Sequence, residues 1–269
     1  MKRFKKVMTV LLFILFAFVF LRSAVYLITY YMDSRASQGA FESLAALVEE
    51  EPVTEAPAET EPAETEPGAP KPRVIMNKYK ALYEQNPDLA GWLTVDGTNI
   101  NYPVMFTGPE LDRVDYYIHR DYEGNYNSHG TLYIREDNDP FRPSDNVIIY
   151  GHNMKDRTMF GQLRNFQKKE FWEEHRYFKF DTIYEEHEYE ILCVFQAQVE
   201  TNTGRDFGYY FFVDAENAEE FDEYVASLKA RQLYDTGVDA KYGDKLVELS
   251  TCEYSRKNGR LVVVGKRIR

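Results

Sequence analysis

The hydrophobic pattern divides the chain into three regimes. Residues 7–21 are apolar apart from Thr9, and apolar character resumes after Arg22 and Ser23 as far as Met32. A bilayer core about 30 Å thick needs about 20 helical residues, so residues 7–31 predict one membrane-spanning helix, with Arg22 snorkelling to an interface. Tyr26, Tyr30 and Tyr31 suit an interfacial belt. Residues 33–50 then place Phe41, Leu44, Ala45, Leu47 and Val48 at helical spacing, which predicts a short amphipathic stalk. Residues 51–72 read EPVTEAPAETEPAETEPGAPKP, with too little apolar area to offset ordering and with prolines and like charges that keep a chain extended. They predict a spacer several nanometres long.

From Arg73 onward the pattern is that of a folded domain. Residues 74–84 have helical character and stop before Asn86-Pro87, because the residue ahead of a proline avoids the helical region. Residues 90–95, 100–105, 131–135, 146–150, 188–199, 246–250 and 260–268 are rich in β-branched and aromatic residues between turn signals such as Asp96-Gly97 and Asn258-Gly259. Helices are predicted over 158–166 and over 215–233, the latter with Asp214 as its cap. Seven or more short strands with few helices give a mainly β fold, and a closed barrel is the preferred form.

Composition changes this picture in two places. Aromatics make up 15% of the chain, ample for a core, while a formal net charge of −12 opposes binding to nucleic acid, which calls for clustered Lys and Arg. The positive charges of Lys2, Arg3, Lys5 and Lys6 ahead of the apolar run place residues 1–6 in the cytoplasm and everything after the helix outside. Arg22 occupies a small-residue position of any cleavage site there, which favours an uncleaved anchor over a signal peptide. Two cysteines are too few for a disulfide framework, although one pair would abolish thiol chemistry.

Three residues stand where strands end. Cys252 follows the apolar run from Leu246 and precedes polar Glu253-Tyr254-Ser255, whereas Cys193 sits mid-strand among apolar neighbours and reads as core. His152 follows Val147-Ile148-Ile149-Tyr150 and Gly151, although position alone also allows an ordinary hydrogen-bonded histidine. His119, His129, His175 and His187 lack ligand-like spacing, so no metal site is expected. Arg260 opens the last strand across a turn from Cys252; a hairpin there would let it lower the thiol pKa and donate to an oxyanion, and an exposed edge arginine is the other reading.

Together, Leu249-Ser250-Thr251-Cys252, Arg260 and Tyr150-Gly151-His152-Asn153-Met154 resemble the signature of sortases, most nearly class B. The likeness extends through Asn86-Pro87-Asp88-Leu89-Ala90-Gly91-Trp92, Asp96-Gly97-Thr98, Asn101-Tyr102-Pro103-Val104 and Met159-Phe160, and so covers residues 73–269. It implies a closed eight-stranded barrel with an N-terminal helix and a long helix inserted before the Cys strand. The implied reaction is attack of a Cys252 thiolate on a Thr carbonyl in the C-terminal sorting motif of a secreted protein. The resulting thioacyl enzyme passes its acyl group to an amine of a peptidoglycan precursor or a pilin. His152 would shuttle the proton, Arg260 would hold the oxyanion, and no cofactor is required.

The resemblance also implies substrate contacts at Ser250 and Thr251 and places the substrate-lining connection at residues 204–212. Tyr209 and Tyr210 are expected there as wall residues that serve binding more than stability, with alternating positions of an ordinary strand as the other reading. The domain plan is thus 1–6 cytoplasmic, 7–31 anchor, 32–72 stalk and spacer, and 73–269 catalytic. A thiol peptidase passing the acyl group to water, or a surface binding module without activity, would use the same fold.

Overall fold

The computed structural model describes residues 2–49, 73–109, 113–142, 144–199, 207–255 and 257–269. The spacer expected over 51–72 lies outside the described residues. The chain forms two compact units, Met1–Ala40 and Phe41–Arg269. A single helix, α1 (Lys2–Glu49), supplies the first unit and the start of the second. Its apolar side chains from Val7 to Met32 are exposed apart from half-buried Ala24 and Tyr30, and it is long and apolar enough to cross a membrane by length and composition.

Within the second unit, Phe41 and Ala45 are buried, and the Phe41 ring meets Tyr102 at 5.0 Å between centroids. The stalk expected over 33–50 therefore gives its last helical turns to the folded unit. The unpaired apolar stripe that suggested a stalk is a packing face.

The second unit is a closed eight-stranded barrel. Its strands are β1 (Leu89–Val95), β2 (Asn101–Met105), β3 (Leu132–Ile134), β4 (Asn146–Tyr150), β5 (Tyr177–Thr182), β6 (Glu188–Gln198), β7 (Leu246–Glu253) and β8 (Gly259–Arg267). The order around the barrel is β1-β2-β3-β4-β7-β8-β6-β5, and β5 closes on β1. Pairs β2/β3 and β4/β7 are parallel and the rest antiparallel. The helices are α2 (Asn77–Gln85), α3 (Lys169–Glu174) and α4 (Ala218–Lys229).

The expected strands are all present. One strand, β5, was not anticipated, although its burial alternates residue by residue. The helix expected over 158–166 is a 3-10 helix over Phe160–Gln167, and its buried Phe160, Leu163 and Phe166 explain why: a spacing of three matches three residues per turn. The helix expected over 215–233 is shorter, and its cap is Asn217, whose Oδ1 accepts from the Glu220 amide at 3.1 Å. Asp214 instead accepts from the Asp145 amide at 2.8 Å, tying the connection to the start of β4.

The wall β4-β7-β8-β6 is apolar on both faces, which accounts for its near-continuous Val, Ile and Leu runs. Val247, Leu249, Leu261 and Val263 point into the barrel core, while Ile148, Leu246, Val262 and Val264 pack outward against Phe221, Tyr224, Val225 and Leu228 of α4. The described residues of the connection between β6 and β7, from Phe207 onward, therefore lie as a lid over the outer face of this wall. The site is at the edge of that lid.

Candidate active site

Side chains alternate along a strand, so Leu246, Glu248, Ser250 and Cys252 share the outer face of β7. Cys252 stands next to the end of the strand and is half-buried. The β7–β8 hairpin turns through Asn258, which adopts the left-handed conformation (φ 55°) that Asn tolerates better than most residues. The resulting register makes Arg260 the direct cross-strand partner of Cys252.

His152 reaches the same end from the other side. The parallel pairing of β4 with β7 sets Tyr150 against Ser250, so the two chains leave the sheet together. They stay linked beyond it: the Thr251 hydroxyl donates to the Gly151 carbonyl at 2.7 Å, and the Asn153 side-chain amide donates to the Cys252 carbonyl at 2.7 Å. Gly151 is required by close packing, since a Cβ there would lie 2.4 Å from Leu132 Cδ2 and 2.7 Å from Phe160 Cδ2. The Phe160 amide donates to the His152 carbonyl at 2.9 Å, and the bridge from Asn153 to Met159 closes the loop at a strained residue, with Met159 at φ 50° and ψ −128°.

The tautomer of His152 follows from its partner. Its Nε2 lies 2.7 Å from the carbonyl oxygen of Ile118, which can only accept, so Nε2 carries a hydrogen and the neutral ring leaves Nδ1 as a lone pair. Burial lowers its pKa below the ordinary histidine value, and nearby His119 and His129 act in the same sense against the Ile118 hydrogen bond. The His119 ring stacks on it at 5.2 Å. His129 is engaged with Asp156 at 2.9 Å. Among the described residues no cluster of His, Cys, Asp and Glu suits a metal ion.

The seven residues singled out in the sequence, Cys252, His152, Arg260, Ser250, Thr251, Tyr209 and Tyr210, all line one cavity of about 330 Å³. Tyr209 and Tyr210 sit in a 3-10 turn, Tyr209–Phe211, and not in a strand. Tyr209 is buried, and its hydroxyl lies 2.8 Å from Ser250 Oγ. Residues 204–206 of the expected wall lie outside the described residues. Cys193 is buried in β6, both thiols are free, and burial drives the Cys193 pKa far up, which leaves it an inert thiol.

The wall also takes Tyr150, from the motif that precedes His152, and residues that had no signal in the sequence: Asp115, Ile118, Tyr133 and Arg135. Asp115 accepts from the Tyr133 hydroxyl at 2.7 Å, and Arg135 pairs with Asp137 at 2.9 Å. Burial raises the pKa values of Tyr133, Tyr150 and Tyr209, so the wall offers neutral phenols and not phenolates. The cavity thus joins a thiol, a neutral imidazole and a guanidinium to an aromatic, hydrogen-bonding wall of the kind that receives a peptide.

A family model for the sortase domain matches residues 93–268. The chain belongs to the sortase family. Sortase B of Staphylococcus aureus is 28% identical over 194 residues, covering 71% of this chain and 75% of the relative. Sortase B of Listeria monocytogenes is 32% identical over 194 residues, covering 71% and 74%. The crystal structure of sortase B from B. anthracis in complex with AAEK1 superposes with a TM-score of 0.71 at 27% identity, covering 89% of this chain and 99% of that one. This sortase is class B-like, and it is a cysteine transpeptidase.

Proposed function

We propose that this sortase is anchored in a cytoplasmic membrane by residues 7–31, with residues 1–6 inside and residues 73–269 on the outer face beyond the stalk and spacer over 32–72. Its substrates are secreted proteins with a C-terminal sorting motif, which it cuts after Thr and joins to an amine of a peptidoglycan precursor or a pilin. The long apolar helix behind four cationic residues supports the anchorage. The meeting of Cys252, His152 and Arg260 in one cavity carries the chemical reading.

The reaction balances with these residues alone. His152 Nδ1 takes the Cys252 proton as sulfur attacks the Thr carbonyl, and Arg260 donates hydrogen bonds to the developing oxyanion. Collapse breaks the C–N bond, with the imidazolium proton passing to the leaving amine. The thioester keeps the acyl group activated, so an incoming amine, deprotonated by His152, forms the new amide and releases the thiol. Ser250, Thr251, Tyr209 and Tyr210 would contact the peptide along the wall.

The test is a pool of Thr-containing peptides given to the full chain with and without triglycine or diaminopimelate, read by mass spectrometry. An acyl adduct on Cys252 that becomes an amide only with added amine supports the transpeptidase. Equal hydrolysis with and without amine would make it a thiol peptidase, and no adduct from any peptide would favour a silent binding module. Protease protection of intact cells tests the orientation.

A further inference from the structure

Glu248 is fully buried on the face of β7 that carries Ser250 and Cys252, within the apolar layer between the barrel and α4. A carboxylate in such a place needs a cation or several donors. Its one well-formed hydrogen bond comes from the Tyr224 hydroxyl of α4, while Asn146 on β4 lies near enough to hold its pKa down a little. Its other oxygen, Oε2, has no partner, and neither has Oδ1 of Asn146, the neighbouring side chain on β4. The Asn146 amide nitrogen is spent on the Phe212 carbonyl at 3.1 Å, so turning the amide to serve a carboxylate would strip Phe212 of its donor. A proton on Oε2 would turn one orphaned acceptor into a donor, and Asn146 Oδ1 on the neighbouring strand is an acceptor left without one.

The titratable groups around it are Tyr224 on α4, Tyr209 in the 3-10 turn, Tyr150 on β4 and Cys193 on β6. All four are neutral acids, so none supplies a compensating charge. Burial accordingly pushes the Glu248 pKa up to about 8, against the pull of Tyr224 and Asn146. From this carboxyl a chain of contacts runs to the cavity: Tyr224 shares its one hydroxyl hydrogen between Glu248 and the Tyr209 carbonyl, 3.3 Å away, and Tyr209 meets Ser250, two residues from the thiol.

We propose that Glu248 is held as a neutral carboxylic acid and is a positioning residue: through Tyr224 it fastens the Tyr209 wall beside Cys252, and its ionisation loosens that wall. The proposal rests on the transpeptidase reading for its effect on catalysis but not for the state of Glu248.

The full chain is therefore compared with Glu248→Gln, which keeps the shape and the donor while removing the proton, and with Glu248→Ala. Infrared difference spectra should show the carbonyl stretch of a protonated acid near neutrality in wild type and not in Glu248→Gln. The thermal midpoint of wild type should fall relative to Glu248→Gln as pH rises from about 4.5 to about 8, because the folded form binds the proton more tightly. With a peptide that acylates Cys252, KM of wild type should rise about fivefold or more above that range and stay level in Glu248→Gln, while alkylation of Cys252 by iodoacetamide follows the same pH course in both. Glu248→Ala should show the high KM at every pH. An absent acid band, or midpoints of wild type and Glu248→Gln that run parallel with pH, overturns the protonated state. A shared alkaline rise in KM overturns the positioning role. Failure of every peptide to acylate Cys252 would strike the transpeptidase reading and leave the spectral and thermal results to decide Glu248.

Discussion

Cys252 and Arg260 are opposite one another across the antiparallel β7–β8 pair, so thiol and guanidinium project from the same face at the same end of the barrel wall. Directly opposed residues share a face, and a slip of one residue would send one of them into the core. The Asn258 turn that fixes this register is therefore part of the site's geometry.

Arg260→Lys tests whether that pairing serves chemistry. The planar fork donates two parallel hydrogen bonds where a compact ammonium donates from one point. Losing one oxyanion donor typically costs about 10²–10³ in rate, so kcat/KM for acylation is expected to fall by that order. The thermal midpoint should hardly move, since the side chain is only half-buried and its Nη1 bonds the adjacent Gly259 carbonyl. Near-full turnover in the Lys variant would reduce Arg260 to a structural residue.

The two cysteines should separate cleanly. Cys252→Ala is expected to lose both cleavage and amide formation, whereas Cys193→Ala keeps them, because the Cys193 thiol is sealed in the layer under α4. Intact mass under nonreducing conditions should show two free thiols. Acyl adduct persisting in Cys252→Ala would refute the assignment.

The strands that carry these residues were legible because they obey simple periods. Strand β8 begins at an Asn-Gly turn signal, β4 is an apolar run between polar residues, and β7 keeps Leu246, Val247 and Leu249 around Glu248. The lid was less legible. Tyr209 to Phe212 are four aromatics in a row, which carry no period, and only the packing against Phe195, Tyr224 and Ser250 decides which faces inward. Asp115, Ile118 and Arg135 reach the cavity from segments outside the regular strands, and their positions depend on barrel closure and not on local pattern. Glu248 would break any apolar template for β7; its neighbours Tyr224 and Asn146 are distant in sequence and appear only on folding.

The pH profile should reveal the environment of His152. Its base form is the neutral imidazole, and burial lowers its pKa, so the acid limb of kcat/KM should lie below the ordinary value of about 6.5. The direction follows because protonation removes the Nδ1 lone pair, and a lower pKa delays that loss to more acidic solution. A profile whose acid limb sits above 6.5, with free enzyme and saturating amine, would place an imidazolium in the active form.

Tyr209 and Tyr210 make the sharpest contrast, because both line the cavity and only one is buried. The sequence treated them alike, as wall residues serving binding. Tyr209 is 1% exposed, and its ring meets Phe195 at 5.7 Å and Tyr210 at 5.4 Å. Truncating a buried aromatic ring typically costs about 3–5 kcal/mol, so Tyr209→Ala should unfold early, and its kinetics would say little about binding. Tyr209→Phe keeps the ring and removes only the hydroxyl that meets Ser250, at a cost of about 1 kcal/mol. It should raise the peptide KM with kcat nearly unchanged. Tyr210 is half-buried, lies 5.9 Å from the Arg135 guanidinium, and offers one face to the cavity. Tyr210→Ala should therefore keep a thermal midpoint close to wild type while kcat/KM falls about tenfold. Peptide kinetics and melting of the three variants decide the matter: wild-type kcat/KM in both Tyr209→Phe and Tyr210→Ala would remove the aromatic wall from substrate recognition and leave it a purely structural lid.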